Sequence, residues 1–366
     1  MIAKKKLILE NGREFIGTGF GADISVVFET VCCTMMAGYQ EVISDPAYYN
    51  KIIILTYPVI GSNGLADEDY ESKSLMAGGL VVRQYIDAPS HYRFTKTLSD
   101  GMEEYAIPGI SGIDTREVTR LLNSTENPLA VITDINASNQ EIESRFKSYK
   151  KADLTAKVSC KKPWYSRTSN YRINIVTVDC GITNSMVKSL NNRGCNVIVV
   201  PYNTTAGEVL ALRPDGIYIS NGPENIEGLN PVVNLIEEIK GKIPIFGTGQ
   251  GCLALATACG ANIYRMKKGH HGGNHPVRRL SDLKIETGTQ SHNLTIDEKS
   301  IPGTGLTVTF KNLCDGTIEG IESEQMMIYA VLFYPQIAAD AAEESYHIDR
   351  FIHKVERFKE GGRPNA

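Results

Sequence analysis

Residues 243–260 read IPIFGTGQGCLALATACG, and this stretch decides the fold. Ile243 to Phe246 is a short apolar run of strand length. A tight glycine turn follows, and then a second apolar run. No charge falls between Ile243 and Tyr264, a span of 22 residues, so a membrane helix has to be weighed. Gly247, Gly249, Gly251 and Gly260, with Gln250 and Asn262, are poor material for one, since a spanning helix is built mostly from large apolar side chains. The stretch reads as buried strand, sharp turn and buried helix. Its spacing, Gly247-Thr248-Gly249-Gln250-Gly251, is that of a nucleophile elbow, glycine-x-nucleophile-x-glycine, with small flanks because the helix packs close to the strand. The tip, where a nucleophile would stand, is Gly249. Spacing alone also fits a glycine turn without chemistry, and a dinucleotide fingerprint would need a different glycine spacing.

Upstream, apolar strands and amphipathic helices alternate. Ile173 to Val178, Asn196 to Val200 and Gly216 to Ser220 read as strands. Met186 to Leu190, Glu208 to Leu212 and Val232 to Ile239 read as helices. That alternation implies a parallel α/β sheet, whose sites lie at the carboxyl ends of strands. Two such ends carry glycine turns: Ser220-Asn221-Gly222-Pro223 and the elbow. Downstream, Ile348, Phe351, Ile352, Val355 and Phe358 form the core-facing stripe of a last helix.

Residues 1–150 differ in character. Leu7 to Leu9 and Phe15 to Ile16 flank Asn11-Gly12, a hairpin signal. Val26 to Phe28, Ile52 to Leu55 and Leu80 to Val82 read as further strands. Asp114-Thr115-Arg116-Glu117 has the spacing of a capping box opening a helix through Val118, Leu121 and Leu122. This half is expected to be a β-rich domain. Residues 151–172 are polar, contain Pro163 and the single tryptophan, Trp164, and read as a linker to an α/β domain over 173–360.

The chain has 366 residues, enough for two domains. With 38 Lys and Arg against 42 Asp and Glu, its net charge of −4 argues against a nucleic-acid or anionic-membrane surface as its main business. The eight cysteines show neither a CxxC pair nor zinc spacing, as expected of a reduced, cytoplasmic protein, and Met1 to Phe15 has too short an apolar run for a signal peptide. His270-His271-Gly272-Gly273-Asn274-His275 is the histidine cluster. Its spacing does not match a zinc site, and a hydrogen-bonding loop beside the site is expected, with no metal.

These motifs, in this order, resemble the small subunit of carbamoyl phosphate synthase. The blocks are Gly38-Tyr39-Gln40-Glu41 with Asp45-Pro46, Leu55-Thr56-Tyr57-Pro58 with Ile60-Gly61, Gly112-Ile113-Asp114-Thr115-Arg116, Pro214-Asp215-Gly216 with Ser220-Asn221-Gly222-Pro223, and Gly269-His270-His271-Gly272-Gly273-Asn274-His275-Pro276-Val277. The resemblance runs over nearly the whole chain. It implies a small-subunit N-terminal domain joined to a class I glutamine amidotransferase domain, a large-subunit partner that would bind the ATP, no cofactor on this chain, and a place in pyrimidine or arginine precursor synthesis.

The family hydrolyses glutamine with a Cys-His-Glu triad, the cysteine attacking the amide, the histidine moving protons and the carboxylate holding the imidazole. By resemblance those positions are Gly249, Tyr334 and Gln336 here. Former glutamine-pocket positions are Ala47, Glu224, Leu253, Ser291, Asn293 and Leu294, and the backbone amides of Gly222 and Gln250 stand at the oxyanion-hole positions. The side chain of Glu224 is expected to put a repelling charge near the oxyanion. Cys252, three residues past the tip, is the possible substitute nucleophile, since a helix N-terminus can lower a thiol pKa. Three readings follow: a small subunit without glutaminase activity that serves an ammonia-using large subunit, a ligand-binding or sensor protein using the old pocket, or an enzyme with new chemistry at Cys252 or the His270–His275 loop.

Overall fold

The computed structural model describes residues 4–122, 128–150, 153–225, 227–334 and 345–361. The chain divides into two units. One holds residues 1–152 and 267–272, the other 153–266 and 273–366.

The first unit is a barrel. Its strands are β1 (Lys4–Leu9), β2 (Glu14–Gly21), β3 (Val26–Cys33), β4 (Lys51–Leu55), β6 (Gly79–Val81), β8 (Pro108–Ser111) and β9 (Leu129–Asp134), with β5 (Val59–Ile60) and β7 (Gln84–Tyr85) forming a separate pair. The closed order is β1-β2-β8-β6-β4-β3-β9. The Asn11-Gly12 hairpin sets the first pairing, Leu7 opposite Phe15, with Gly12 at φ 82. Alternation along β4 builds two cores. Ile52 and Ile54 pack with Leu7, Leu9, Val81 and Ile132, while Ile53 and Leu55 pack with Val31, Leu80 and Val82. Helices α1 (Tyr39–Ser44) and α2 (Leu98–Glu104) join the second core, and α3 (Thr115–Leu122) the first. The cap expected at Asp114 is present, its Oδ1 accepting from the amides of Arg116 (3.1 Å) and Glu117 (3.0 Å). The Glu117 carboxylate pairs with Arg13. Helix α4 (Asn139–Ser148) completes the unit, opened by a full capping box between Ser138 and Glu141.

The second unit is a ten-stranded sheet. Its strands are β10 (Trp164–Ser166), β11 (Ile173–Asp179), β12 (Cys195–Pro201), β13 (Gly216–Ile219), β14 (Ile245–Thr248), β15 (Ile263–Arg279), β16 (Ile285–Ile296), β17 (Thr307–Asn312), β18 (Ile318–Ser323) and β19 (Ile328–Val331). They lie in the order β10-β12-β11-β13-β14-β19-β18-β17-β15-β16. The parallel sheet expected from the alternation is its centre, β12-β11-β13-β14-β19, and antiparallel strands extend it on both sides. Helices cover both faces. Ile173 and Ile175 pack on α6 (Asn184–Asn192) and α10 (Tyr346–Glu360). Val176 and Val178 pack on the face of α7 (Ala206–Ala211), α8 (Asn230–Ile239) and α9 (Gln250–Ala258).

The linker expected over 151–172 is corrected. Among its described residues are α5 (Leu154–Val158) and β10, which pairs antiparallel with β12, Trp164 opposite Val199. The Cys160 amide donates to Asp179 Oδ2 at 2.7 Å. The polar composition of this stretch reflects an edge strand, which needs a ladder partner on one side only. The histidine cluster is corrected too, since it lies inside the extended strand β15.

Candidate functional site

Strand β14 ends at Thr248 and α9 begins at Gln250, so Gly249 alone makes the turn, at φ 50 and ψ −115. Side chains rarely adopt that backbone, and elbows hold their nucleophile there by surrounding structure. The Gly249 amide donates to the Val331 carbonyl of β19 at 2.9 Å, which fixes the tip against the neighbouring strand. The flank is tight as the spacing requires, because a Cβ on Gly251 would come 2.3 Å from the Ile219 carbonyl.

The tip is occupied from the side. A Cβ on Gly249 would fall 2.0 Å from Asn221 Oδ1. That oxygen accepts from the Gln250 amide at 2.8 Å, and Asn221 Nδ2 donates to Ser291 Oγ at 3.1 Å. Asn221, Gln250 and Ser291 are all buried. The loop after β13 therefore caps α9 with a side-chain carboxamide, a role asparagine fills well because its oxygen satisfies a first-turn amide. A Cβ on Gly222 would meet the Cys180 carbonyl at 2.1 Å and Gln250 Oε1 at 2.9 Å, so Gly222 lies beside Gln250. The Gln250 side chain donates to Thr155 Oγ1 at 2.8 Å.

Glu224 is buried and holds φ +49, a conformation that favours glycine. Its carboxylate accepts three hydrogen bonds from β16: the Asn293 amide at 2.6 Å, Asn293 Nδ2 at 2.9 Å and the Leu294 amide at 2.8 Å. The expected free, repelling charge is corrected, since the side chain is drawn onto those donors.

His292 Nδ1 lies 2.9 Å from the Leu294 carbonyl, and its Nε2 lies 3.5 Å from Glu319 Oε2. Burial alone would favour the neutral ring, but Glu319, Glu224 and the carbonyl outweigh it and raise the pKa above the usual histidine value. With the Leu294 carbonyl at Nδ1 and the Glu319 carboxylate facing Nε2, the surroundings favour the protonated ring. Asn312 Nδ2 donates to Glu319 Oε1 at 3.1 Å.

Cys252 is fully buried. Burial pushes its thiol pKa well above the ordinary thiol range, and the nearby Glu319 charge adds to this. The expected activation of Cys252 by the helix N-terminus is corrected, because burial disfavours its thiolate more than one partial dipole charge favours it. Leu253 and Leu294 belong to one apolar core cluster. The half-buried Tyr334 pairs with Thr289, its amide donating to the Thr289 carbonyl at 2.8 Å. Gln336 lies outside the described residues.

Thus Gly222, Glu224, Gly249, Gln250, Ser291, Asn293 and Leu294 are linked through contacts within the second unit. Ala47 belongs to the first unit, where it is buried and its amide donates to Asp45 Oδ1 at 2.8 Å. His271 is also of the first unit, its carbonyl accepting from Thr34 N at 3.1 Å and Thr34 Oγ1 at 3.2 Å. Sequence reasoning placed Asn221 in a turn at a strand end but gave it no role, and it assigned none to His292 or Glu319. The available signal was a polar asparagine at the carboxyl end of the strand beside the elbow.

Residues 7–132 match the family model described as carbamoyl-phosphate synthase small chain, CPSase domain, and residues 176–354 match glutamine amidotransferase class-I. A carbamoyl phosphate synthase small chain of Bacillus cereus is 38% identical over 359 residues, covering 98% of each chain. One of Staphylococcus epidermidis is 39% identical over 361 residues, again covering 98% of each.

Proposed function

The chain belongs to the carbamoyl phosphate synthase small-chain family, and from that premise we propose that it is a small subunit that does not hydrolyse glutamine and acts as the structural or regulatory partner of a large subunit fed by free ammonia. The observation that carries this reading is the elbow tip, where a glycine replaces the nucleophile and Asn221 Oδ1 stands 2.0 Å from where a nucleophile's Cβ would be. Loss of a triad nucleophile typically costs about 10⁶ in turnover. Tyrosine, with a reference pKa of about 10, is a poor base at neutral pH. The fully buried Cys252 with its raised thiol pKa supplies no replacement. The small chain is retained, on this reading, because it covers and positions its partner.

Two measurements test the proposal. Tagged protein expressed in its native cell should copurify with a carbamoyl phosphate synthase large subunit, and that complex should make carbamoyl phosphate from ammonia but not from glutamine. The isolated chain should release ammonia from glutamine at background rate, unchanged by Cys252→Ser. Glutamine-dependent synthesis by the complex, or hydrolysis abolished by Cys252→Ser, would overturn the reading.

A further inference from the structure

Two buried side chains of one short loop end in the functional groups of glutamine. Asn221 presents a carboxamide, its oxygen on the Gln250 amide at 2.8 Å and its nitrogen on Ser291 Oγ at 3.1 Å. Glu224 presents a carboxylate to two successive backbone amides, Asn293 at 2.6 Å and Leu294 at 2.8 Å, with Asn293 Nδ2 at 2.9 Å. The donor engaged by the carboxamide oxygen, the Gln250 amide, lies at the elbow, where the amide of a substrate would be attacked. Converging backbone amides are an anion site, and the anionic group of glutamine is its α-carboxylate. Both sets of contacts fall on positions that the family resemblance assigns to the oxyanion hole and glutamine pocket.

We propose that the loop 220–224 is a built-in occupant of the former glutamine pocket, with the Asn221 carboxamide in place of the substrate amide and the Glu224 carboxylate in place of the substrate α-carboxylate. The pocket is then closed to the free amino acid by groups of its own chemistry. The missing Cβ at Gly249 makes room for the first group, since a side chain there would collide with Asn221. The second is held although Glu224 sits at φ +49, so its contacts outweigh the backbone preference for glycine. The inference rests on the assignment of Gly249 as the elbow tip that also underlies the proposed function, but it concerns binding and needs neither partner nor turnover.

The test is ligand binding by the full chain, read by titration calorimetry and by ligand-induced thermal shift, in wild type, Asn221→Gly, Glu224→Gly and the double variant. An occupant that opens one time in ten or less weakens free-ligand binding at least about tenfold. The double variant should therefore bind L-glutamine at least about tenfold more tightly than wild type. The single variants should show crossed preferences for small probes. Asn221→Gly should gain binding of acetamide over acetate, and Glu224→Gly should gain acetate over acetamide. Glycine at 224 suits the backbone there, so this variant decides the matter if Asn221→Gly fails to fold. Wild type binding glutamine as tightly as the double variant, or a folded Glu224→Gly with no gain for acetate, would overturn the inference. Failed copurification with a large subunit would leave it standing, and its failure would leave the altered triad unchanged.

Discussion

At the scale of single residues, Gly249 and Asn221 form one unit. Gly249→Ala adds a Cβ 2.0 Å from Asn221 Oδ1 at a residue with φ 50, so it should destabilise the protein by about 1–3 kcal/mol in urea unfolding. Asn221→Gly in the same chain should recover part of that loss, with a coupling of about 0.5–3 kcal/mol in a double-mutant cycle. Strict additivity would show that the two side chains do not meet. The same contact bears on repair. Gly249→Cys, Tyr334→His and Gln336→Glu together should leave glutamine turnover near background, because catalysis needs positioning as well as reactive groups. Adding Asn221→Gly and Glu224→Gly should raise kcat/KM further. A triple variant already at ordinary amidotransferase efficiency would contradict this. The elbow was legible in the sequence because its signal spans five consecutive residues. Its occupants were not, since Asn221 reaches Gln250 across 29 residues and Glu224 reaches Leu294 across 70, and no local pattern records such pairs.

At the scale of elements, α10 is held by a buried relay as well as by its apolar stripe. Tyr329 Oη lies 2.6 Å from His347 Nδ1, and His347 Nε2 lies 2.9 Å from Glu286 Oε2. Arg350 lies over the Tyr329 ring at 4.5 Å, and Arg279 over Tyr346 at 3.7 Å. The neutral imidazole meets both partners, accepting the tyrosine hydroxyl's hydrogen bond at Nδ1 and donating from Nε2. Burial lowers the His347 pKa, and Glu286 only partly opposes it. The folded pKa therefore lies below the unfolded value of about 6.5, and the unfolded chain takes up the proton first as pH falls. Stability from this group is present above about pH 6.5 and is lost below it. His347→Gln should cost about 1–3 kcal/mol at pH 7.5, and its deficit relative to wild type should shrink between pH 7 and pH 5. A deficit that grows on acidification would mean that the charged ring is the favoured form. The apolar stripe of α10 was readable from its helical period, with Ile348, Phe351, Ile352 and Val355 buried. The relay was not, because it joins three elements distant in sequence. Glycine and histidine in β15 read as a loop for a related reason, since strand character there comes from its ladder partners rather than from its composition.

At the scale of the whole molecule, the two-part organisation was visible as a change from scattered strands to strand–helix alternation. Barrel closure and the extended β10 edge were not, because both are decided by long-range pairing. Nor was the segment 267–272, which belongs with the first unit although 114 residues of the second precede it. His271 serves Thr34 through its carbonyl and lies 5.7 Å, ring to ring, from Tyr48, while a Cβ on Gly272 would come 2.3 Å from Thr34 Oγ1. Gly272→Val should accordingly destabilise the first unit by about 1–3 kcal/mol, read as faster protease cleavage within residues 1–152. Unchanged cleavage would show that the segment adds nothing there. This returning segment also sets a clock. A growing chain that has delivered residue 152 holds every strand of the barrel but lacks the last segment of the first unit until residue 272 is made, a wait on the order of ten seconds at about 5–20 residues per second. Nascent chains stalled between those two points should present a barrel that is assembled but still open to protease at Thr34, and synthesis past residue 272 should close it.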